Sequence, residues 1–304
     1  MFTTPAISVI TPTYNHAHLL PRVWSSLRRQ TEQNFQWIVV DDGSTDDTRE
    51  VIAGFADPRI DYVWQENGGV CAARNRGDRE IRAEFVVYLD SDDEFFSGAA
   101  LAEMLSEIKA TRPEIAGVYF TVVGVEKERL SYIEGDRLEF GYADLACEQK
   151  AKGEFIVIYR RDALSISPWP PFNGMEMLRH LRIARQRPML MINKPARLYH
   201  QGDDNLTGAL SLLWRAQSMV AASAQLISEH RQVWLDCCPC QLGYYSFYRA
   251  MYLALSGSAI PMLPDLFRAF RYGKTDIRIK SVLLLISCVF PLQVRKKLFL
   301  WYAK

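Results

Sequence analysis

Trp37-Ile38-Val39-Val40-Asp41-Asp42-Gly43-Ser44 is the stretch on which the fold reading turns. Four consecutive apolar residues with no polar alternation suit a strand covered on both faces. The run then stops at two carboxylates, a glycine and a serine, which are turn formers. Working outward, residues 7–11 form a β-branched run ended by Pro12. Between the two runs Leu19, Leu20, Val23, Trp24 and Leu27 recur at helical spacing across residues 16–29. On the far side a helix is expected after Ser44, where Ser44 and Asp47 have the spacing of a capping box. Residues 60–64 read as a third strand, 69–81 as a third helix and 85–89 as a fourth strand. Such alternation with short joins predicts an α/β fold, a mostly parallel sheet flanked by helices.

Further along, residues 101–108 read as helix, and 117–123 and 155–159 as strands. A proline-rich loop over 167–174 leads into a helix over about 175–185. From about residue 206 the chain reads as helical to its end, so the expected division is 1–205 and 206–304. An apolar share of 49% in 304 residues is enough for a buried core. A formal net charge of +1 leaves no electrostatic footprint for nucleic acid. The six cysteines show no framework, and no secretory signal opens the chain, so a cytoplasmic setting with free thiols is expected. Cys237-Cys238-Pro239-Cys240 lacks the second ligand pair of a structural zinc site. No apolar run reaches the roughly 18 residues of a spanning helix.

Ligands of open parallel sheets sit outside the carboxyl ends of the strands. Three strands here end in polar clusters: Thr11-Pro12-Thr13-Tyr14-Asn15, Asp41-Asp42-Gly43-Ser44 and Asp90-Ser91-Asp92-Asp93. Any one cluster alone could be an ordinary turn; three in register argue for a site. Asp90 and Asp92, two apart after an apolar strand, suit one hard cation such as Mg²⁺ or Mn²⁺ that shares its other positions with phosphate and water. The stretch Asn67 to Gly77 carries two glycines for a tight turn. Arg74 follows on the next helix, placed to reach a phosphate, to hold Asp41 or Asp42, or to be a solvated surface residue. Cys71 reads as a small buried residue rather than a nucleophile.

Ile7-Ser8-Val9-Ile10-Thr11-Pro12-Thr13-Tyr14-Asn15, Asp41-Asp42-Gly43-Ser44-Thr45-Asp46, Gly68-Gly69 with Ala73-Arg74-Asn75 and Gly77, and Leu89-Asp90-Ser91-Asp92-Asp93 together resemble the family 2 glycosyltransferases of the GT-A (Rossmann-like) fold. Order and spacing of all four blocks match over about the first hundred residues. The resemblance implies a catalytic domain over 1–205, nucleotide-sugar binding in about 1–100 and the acceptor side in about 101–205. It implies inverting transfer of a sugar from a UDP-, GDP- or dTDP-linked donor with Mg²⁺ or Mn²⁺. By analogy Thr11, Pro12, Tyr14, Asp41 and Asp42 hold the base and ribose, with Arg74, Asp90 and Ser91 completing the nucleotide-sugar site. Asp92 and Asp90 take the metal, and His200 matches a histidine that some members carry near the phosphates or metal. The family's general base comes from an acidic pair opening a later helix; here Met175 replaces the first member and Glu176 stands at the second. Glu176 is therefore the candidate base, though Asn173 and Glu176 also have capping-box spacing. His180, four residues on, reads as a satisfied neighbour.

The usual work of the family implies a glycan or lipid-linked acceptor in bacterial surface polysaccharide synthesis. Residues 280–302 interleave apolar and aromatic residues with Arg295, Lys296 and Lys297. That pattern fits a helix lying on the inner face of the plasma membrane, or one packed on the rest of the chain with a basic rim. Two rivals remain open: a catalytically degenerate nucleotide-sugar-binding module, motivated by Met175, and a sugar nucleotidyltransferase, weakened by the missing glycine-rich loop after the first strand. The donor's sugar and base, the acceptor, the linkage and the oligomeric state have no readable code.

Overall fold

The computed structural model describes residues 4–147, 151–172, 174–200, 209–258 and 260–302. The chain divides into two compact units, residues 1–171 with 176–202, and residues 172–175 with 203–304. The first unit opens with β1 (Ile7–Thr13), α1 (Leu20–Arg28), β2 (Phe35–Asp41), α2 (Thr48–Gly54), β3 (Ile60–Trp64), α3 (Val70–Asp78) and β4 (Phe85–Tyr88). It continues through β5 (Glu94–Phe95), α4 (Ala100–Lys109), β6 (Gly117–Gly124), β7 (Ser131–Ile133), β8 (Arg137–Phe140) and α5 (Tyr142–Cys147). It closes with β9 (Ala151–Gly153), β10 (Phe155–Arg160), α6 (Arg161–Leu164), α7 (Met177–Gln186) and β11 (Met189–Tyr199).

The main sheet has the order β3-β2-β1-β4-β10-β6-β11-β5, with β8 also pairing β11. The block β3-β2-β1-β4 is parallel throughout, β10 enters antiparallel to both neighbours, and β11 returns parallel to β6. Most of the paired residues are in parallel register, and the architecture is the expected α/β one, a sheet flanked by helices. Burial explains the unbroken apolar runs. Val9, Trp37, Val39 and Val87 join one core with Trp24 and Leu27 of α1; Ile10, Ile38, Val40 and Val86 join the other with Ala73 of α3 and Ile183 of α7. Trp24 and Trp37 stack with ring centroids 5.4 Å apart and planes 2° off parallel. Gly77 lets α3 lie close on the sheet: a Cβ there would meet Ile10 Cγ2 at 2.7 Å.

Pro12 does not end β1, contrary to expectation. The Ile10 carbonyl faces β4, accepting from the Leu89 amide, and the Thr13 carbonyl faces β2, accepting from the Asp42 amide. By alternation Pro12 faces β4, where pairing has already stopped at Ile10 opposite Tyr88, so no ladder bond is lost. The capping box at Ser44 and Asp47 is also absent. α2 begins at Thr48, whose amide and hydroxyl both donate to Asp46 Oδ1, while the Ser44 hydroxyl accepts from the Asn15 amide instead.

The second unit is helical: α8 (Ala209–Cys237), α9 (Pro239–Leu255), a short 3-10 turn at Ile260–Met262, α10 (Leu263–Tyr272), α11 (Thr275–Ser287) and α12 (Leu292–Tyr302). Trp234 is buried and stacks on Tyr245 at 4.9 Å, fastening α8 to α9. Cys71, Cys237, Cys240 and Cys288 are free thiols. Neither Cys147 nor Cys238 is a free thiol, which corrects the expectation that all six stay free; cysteine spacing carries no sign of it. Among the described residues no helix is long and apolar enough to cross a membrane.

Candidate active site

The carboxyl ends of β1, β2 and β4 carry their polar clusters to one edge, and cross-links hold the three together. Asn15 adopts a left-handed φ of 55°, a conformation asparagine tolerates better than most residues. Its amide donates to Ser44 Oγ at 2.9 Å and its Oδ1 accepts from the Thr45 amide at 2.8 Å. His16 Nδ1 lies 2.7 Å from Ser91 Oγ, tying the loop after β1 to the loop after β4. Arg22 of α1 donates to the Asp92 carbonyl.

Asp41 and Asp42 are both buried and are used inside the protein. Asp41 accepts from the Ser44 amide at 2.8 Å and the Tyr62 hydroxyl at 2.6 Å. Asp42 accepts from Gln65 Nε2 and the Gly68 and Gly69 amides at 2.7, 2.9 and 2.7 Å, so it shapes the turn leading into α3. Gly69 caps α3 at a φ of 86°, which a side chain would strain. Thr11 lies beneath the sheet, its hydroxyl accepting from Trp37 Nε1 at 2.9 Å, so that side chain does not face a ligand. Pro12 is likewise buried, within β1. Tyr14 and Trp64 are the large aromatic side chains left open at this end of β1 and β3, 47% and 54% exposed.

Arg74 is the hub. Its Nη2 donates to Asp90 Oδ1 at 2.7 Å, its Nη1 lies 3.8 Å from Glu176 Oε1, and its guanidinium covers the Trp169 ring at 4.8 Å. It holds neither Asp41 nor Asp42, whose carboxylates are taken by the turns above. Trp169 is fixed from all sides. Its backbone amide and carbonyl bond the Asn75 side chain at 2.8 and 3.0 Å, and Arg179 covers its ring at 4.4 Å. Arg179 is fully buried and held by Asp78 Oδ2 at 3.0 Å and the Tyr88 hydroxyl at 3.2 Å. A stacked, paired guanidinium of this kind has one position only.

The three carboxyls after β4 differ electrostatically. Burial raises the Asp90 carboxyl, but Arg74 and Arg197 outweigh it and hold it below the usual carboxylate range. Burial, and then the Asp90 charge, push Asp92 upward. Asp93 is pushed up to about 7 by burial, with Arg197 opposing and both neighbouring carboxylates adding. Arg197 Nη1 sits 3.4 Å from Asp93 and 4.0 Å from Asp90, and Nη2 sits 3.3 Å from Glu154. For a hard divalent cation the donor chemistry would fit: Asp92 offers a half-buried carboxylate, raised by burial and then by the Asp90 charge. Asp90, engaged by Arg74, stands behind it. His200 turns away, its Nε2 2.9 Å from Glu94 Oε1 and its amide on Asp93 at 3.2 Å. Among the described residues no three metal-binding side chains converge, so the expected place of His200 in that ligand set has no support in this geometry.

Glu176 stands at the N-cap of α7, where its side chain makes no cap hydrogen bond of its own; the capping-box spacing with Asn173 falls on a residue outside the described ones. Cys71 is buried and its thiol is pushed up to about 12, by burial first and then by Glu176, so it is no nucleophile. His180 is a satisfied core residue, its Nδ1 2.7 Å from the Tyr119 hydroxyl and 2.6 Å from that of Tyr159. Sequence reading missed Arg197, Trp169 and Arg179. Arg197 lies in a strand that the sequence does not announce, and Trp169 sits in a proline-rich loop with no period to read.

Comparison with known proteins places these features. The model of "Glycosyl transferase family 2" matches residues 8–165, a little over half of the chain. Validoxylamine A glucosyltransferase of Streptomyces hygroscopicus subsp. jinggangensis is 47% identical over 92 residues, 29% of this chain and 22% of that protein. Glycosyltransferase GlyA of Streptococcus pneumoniae is 41% identical over 95 residues, 31% of this chain and 14% of that protein. The matched stretch thus spans under a quarter of either relative. Among solved structures, S. aureus TarS 1-349 in complex with UDP-GlcNAc superposes with a TM-score of 0.62 at 16% identity, covering 93% of this chain and 90% of that one. The mannosyltransferase PcManGT of Pyrobaculum calidifontis, in complex with GDP-Man and Mn²⁺, gives 0.58 at 19% identity, covering 99% and 88%. At these identities the likeness is one of fold.

Proposed function

The chain belongs to glycosyl transferase family 2, and on that premise we propose that it is an inverting glycosyltransferase moving a sugar from a nucleoside-diphosphate donor to a glycan or lipid-linked acceptor. The observation that carries the reading is Arg74, bound at once to Asp90 and Glu176. One rigid guanidinium thereby joins the carboxylate cluster after β4 to the carboxylate opening α7. Donor binding by this chain is also supported by neighbours of the same fold that hold UDP-GlcNAc and GDP-Man.

In this reading Tyr14, Asp41 and Asp42 form the nucleotide end of the site, with Ser91 beside it. Asp42 acts by fixing the Gly68-Gly69 turn, and Pro12 and Thr11 act as frame. Asp92, with Asp90 behind it, would hold Mg²⁺ or Mn²⁺, which when bound supplies Lewis-acid neutralisation of charge on the departing diphosphate. Glu176 takes the proton of the acceptor hydroxyl on the opposite face, as inversion requires. Arg74, 3.8 Å away, orients Glu176 for that step. We place the acceptor side in residues 101–205, the work in bacterial surface polysaccharide synthesis, and the second unit in peripheral contact with the inner, cytoplasmic face of the plasma membrane.

Two substitutions test this. Asp92→Ala should cut transfer by roughly a thousandfold or more with the melting temperature unchanged; undiminished turnover would remove the metal assignment. Glu176→Gln should cost about 10²–10⁴-fold in kcat while donor affinity holds. If that variant turns over as fast as the parent, the base lies elsewhere.

A further inference from the structure

The second unit leaves apolar helix faces open where a helix normally buries them. On α11, Ile277 and Ser281 are buried, and Leu284 and Cys288 pack against Ala250, Leu253 and Met262. At 100° per residue these four form one stripe. Ile279, Val282, Leu283 and Ile286 form a second stripe on the opposite side, and each is between 45% and 56% exposed. Spacing of i, i+3, i+4 and i+7 is that of a core-facing stripe, and a solvent-facing helix side is ordinarily polar. The neighbouring α10 repeats the pattern with Leu263, Phe267 and Phe270, Phe267 being 65% exposed.

Charge says what covers this surface. Residues 260–304 contain nine Lys and Arg against two acids, a surplus of seven in a chain whose total is +1. Of the two acids, Asp265 is buried and paired with Arg249 and Arg268, which leaves Asp276 as the exposed one. Arg278 and Lys280 fall on either side of the outer α11 stripe, and Lys274 precedes it. An apolar stripe edged by cations, on helices too short to span, matches an interfacial helix and an anionic surface.

We propose that the outer faces of α10 and α11 seat on an anionic phospholipid bilayer, with Phe267, Phe270, Val282, Leu283 and Ile286 entering the headgroup boundary and the flanking cations meeting lipid phosphates. The proposal deepens the acceptor reading above by naming the surface and its lipid class, and it is tested without any transfer reaction. The full chain is sedimented with phosphatidylcholine vesicles, with and without phosphatidylglycerol. Binding should require the anionic lipid and fall with added salt, because about 1 kcal/mol per surface cation is screened within a Debye length. The double variants Leu283→Ser with Ile286→Ser, and Lys274→Glu with Arg278→Glu, should each bind at least about tenfold more weakly, while diphosphate binding stays unchanged. Equal binding to neutral vesicles, or undiminished binding by both variants, overturns the proposal. So does a parent that self-associates in sedimentation equilibrium and becomes monomeric in the serine variant, since the face then covers a second copy. Loss of diphosphate binding by the parent would instead strike the glycosyltransferase reading and leave vesicle binding standing.

Discussion

Arg74 is the residue on which the site's electrostatics rest. It is buried, stacked on Trp169 and paired with Asp90 and Glu176. Arg74→Met would leave Asp90 without its main counter-charge, and the Asp90 carboxyl, now held low, would rise. The variant should lose about 2–3 kcal/mol of stability, below the range for fully buried pairs because Asp90 keeps a third of its side chain exposed. Denaturant midpoints would show this, and a loss under about 0.5 kcal/mol, the scale of an inconsequential surface change, would contradict the hub. His180 supplies an independent check on the core beneath. Burial holds it down at about 3 against 6.5 in an unfolded chain. A depressed folded value means that its contribution is full above pH 6.5 and is lost as pH falls toward 3. Near pH 5 the loss amounts to about 2 kcal/mol, and His180→Gln should flatten this part of the stability profile. At this scale the carboxylates were legible because they stand at strand ends. What they bind was not: Asp42 caps a turn, Thr11 holds Trp37, and His200 pairs with Glu94, all partners distant in the chain.

Among elements, α3 links the parallel sheet to the site, since Gly69 opens it, Arg74 projects from it and Gly77 lets it press on β1. Gly77→Ala puts a methyl 2.7 Å from Ile10 Cγ2 and 3.2 Å from Val40 Cγ2. Overpacking of this kind costs about 1–3 kcal/mol, and the tilt of α3 should also weaken whatever Arg74 organises. Thermal melting together with diphosphate titration checks both; an unshifted melting temperature would mean that α3 has room to move. Of the parallel block, β2 and β4 were readable as apolar runs buried on both faces, and α1 by its one apolar stripe. β11, by contrast, reads Met-Leu-Met-Ile-Asn-Lys-Pro-Ala-Arg-Leu-Tyr and gave no strand signal. Its register shifts between Ile192 and Pro195 and again before Arg197, so side-chain alternation breaks where a periodic reading needs it. Those same irregularities accompany the placing of Arg197 beside Asp90 and Asp93.

At the level of the whole molecule, an almost neutral chain conceals two differently charged parts, with the cationic surplus gathered in residues 260–304. The first unit carries the family's sequence blocks and the carboxylate cluster; the second carries helices whose exposed apolar stripes the sequence announced only in part, through residues 280–302. The interfacial pattern was visible there, but α10 added its phenylalanines only once burial was known. Family membership fixes what the first unit should bind without fixing which base or sugar. The measurement that bears most directly on this is calorimetric titration of the full chain with UDP, GDP, dTDP and CDP, with and without Mn²⁺. The account predicts that one diphosphate binds, that Mn²⁺ strengthens it, and that Asp92→Ala abolishes the metal's effect. A folded protein that binds none of the four under either condition would contradict it, and would leave Asp90, Asp92 and Glu176 as parts of a frame that no longer transfers sugar.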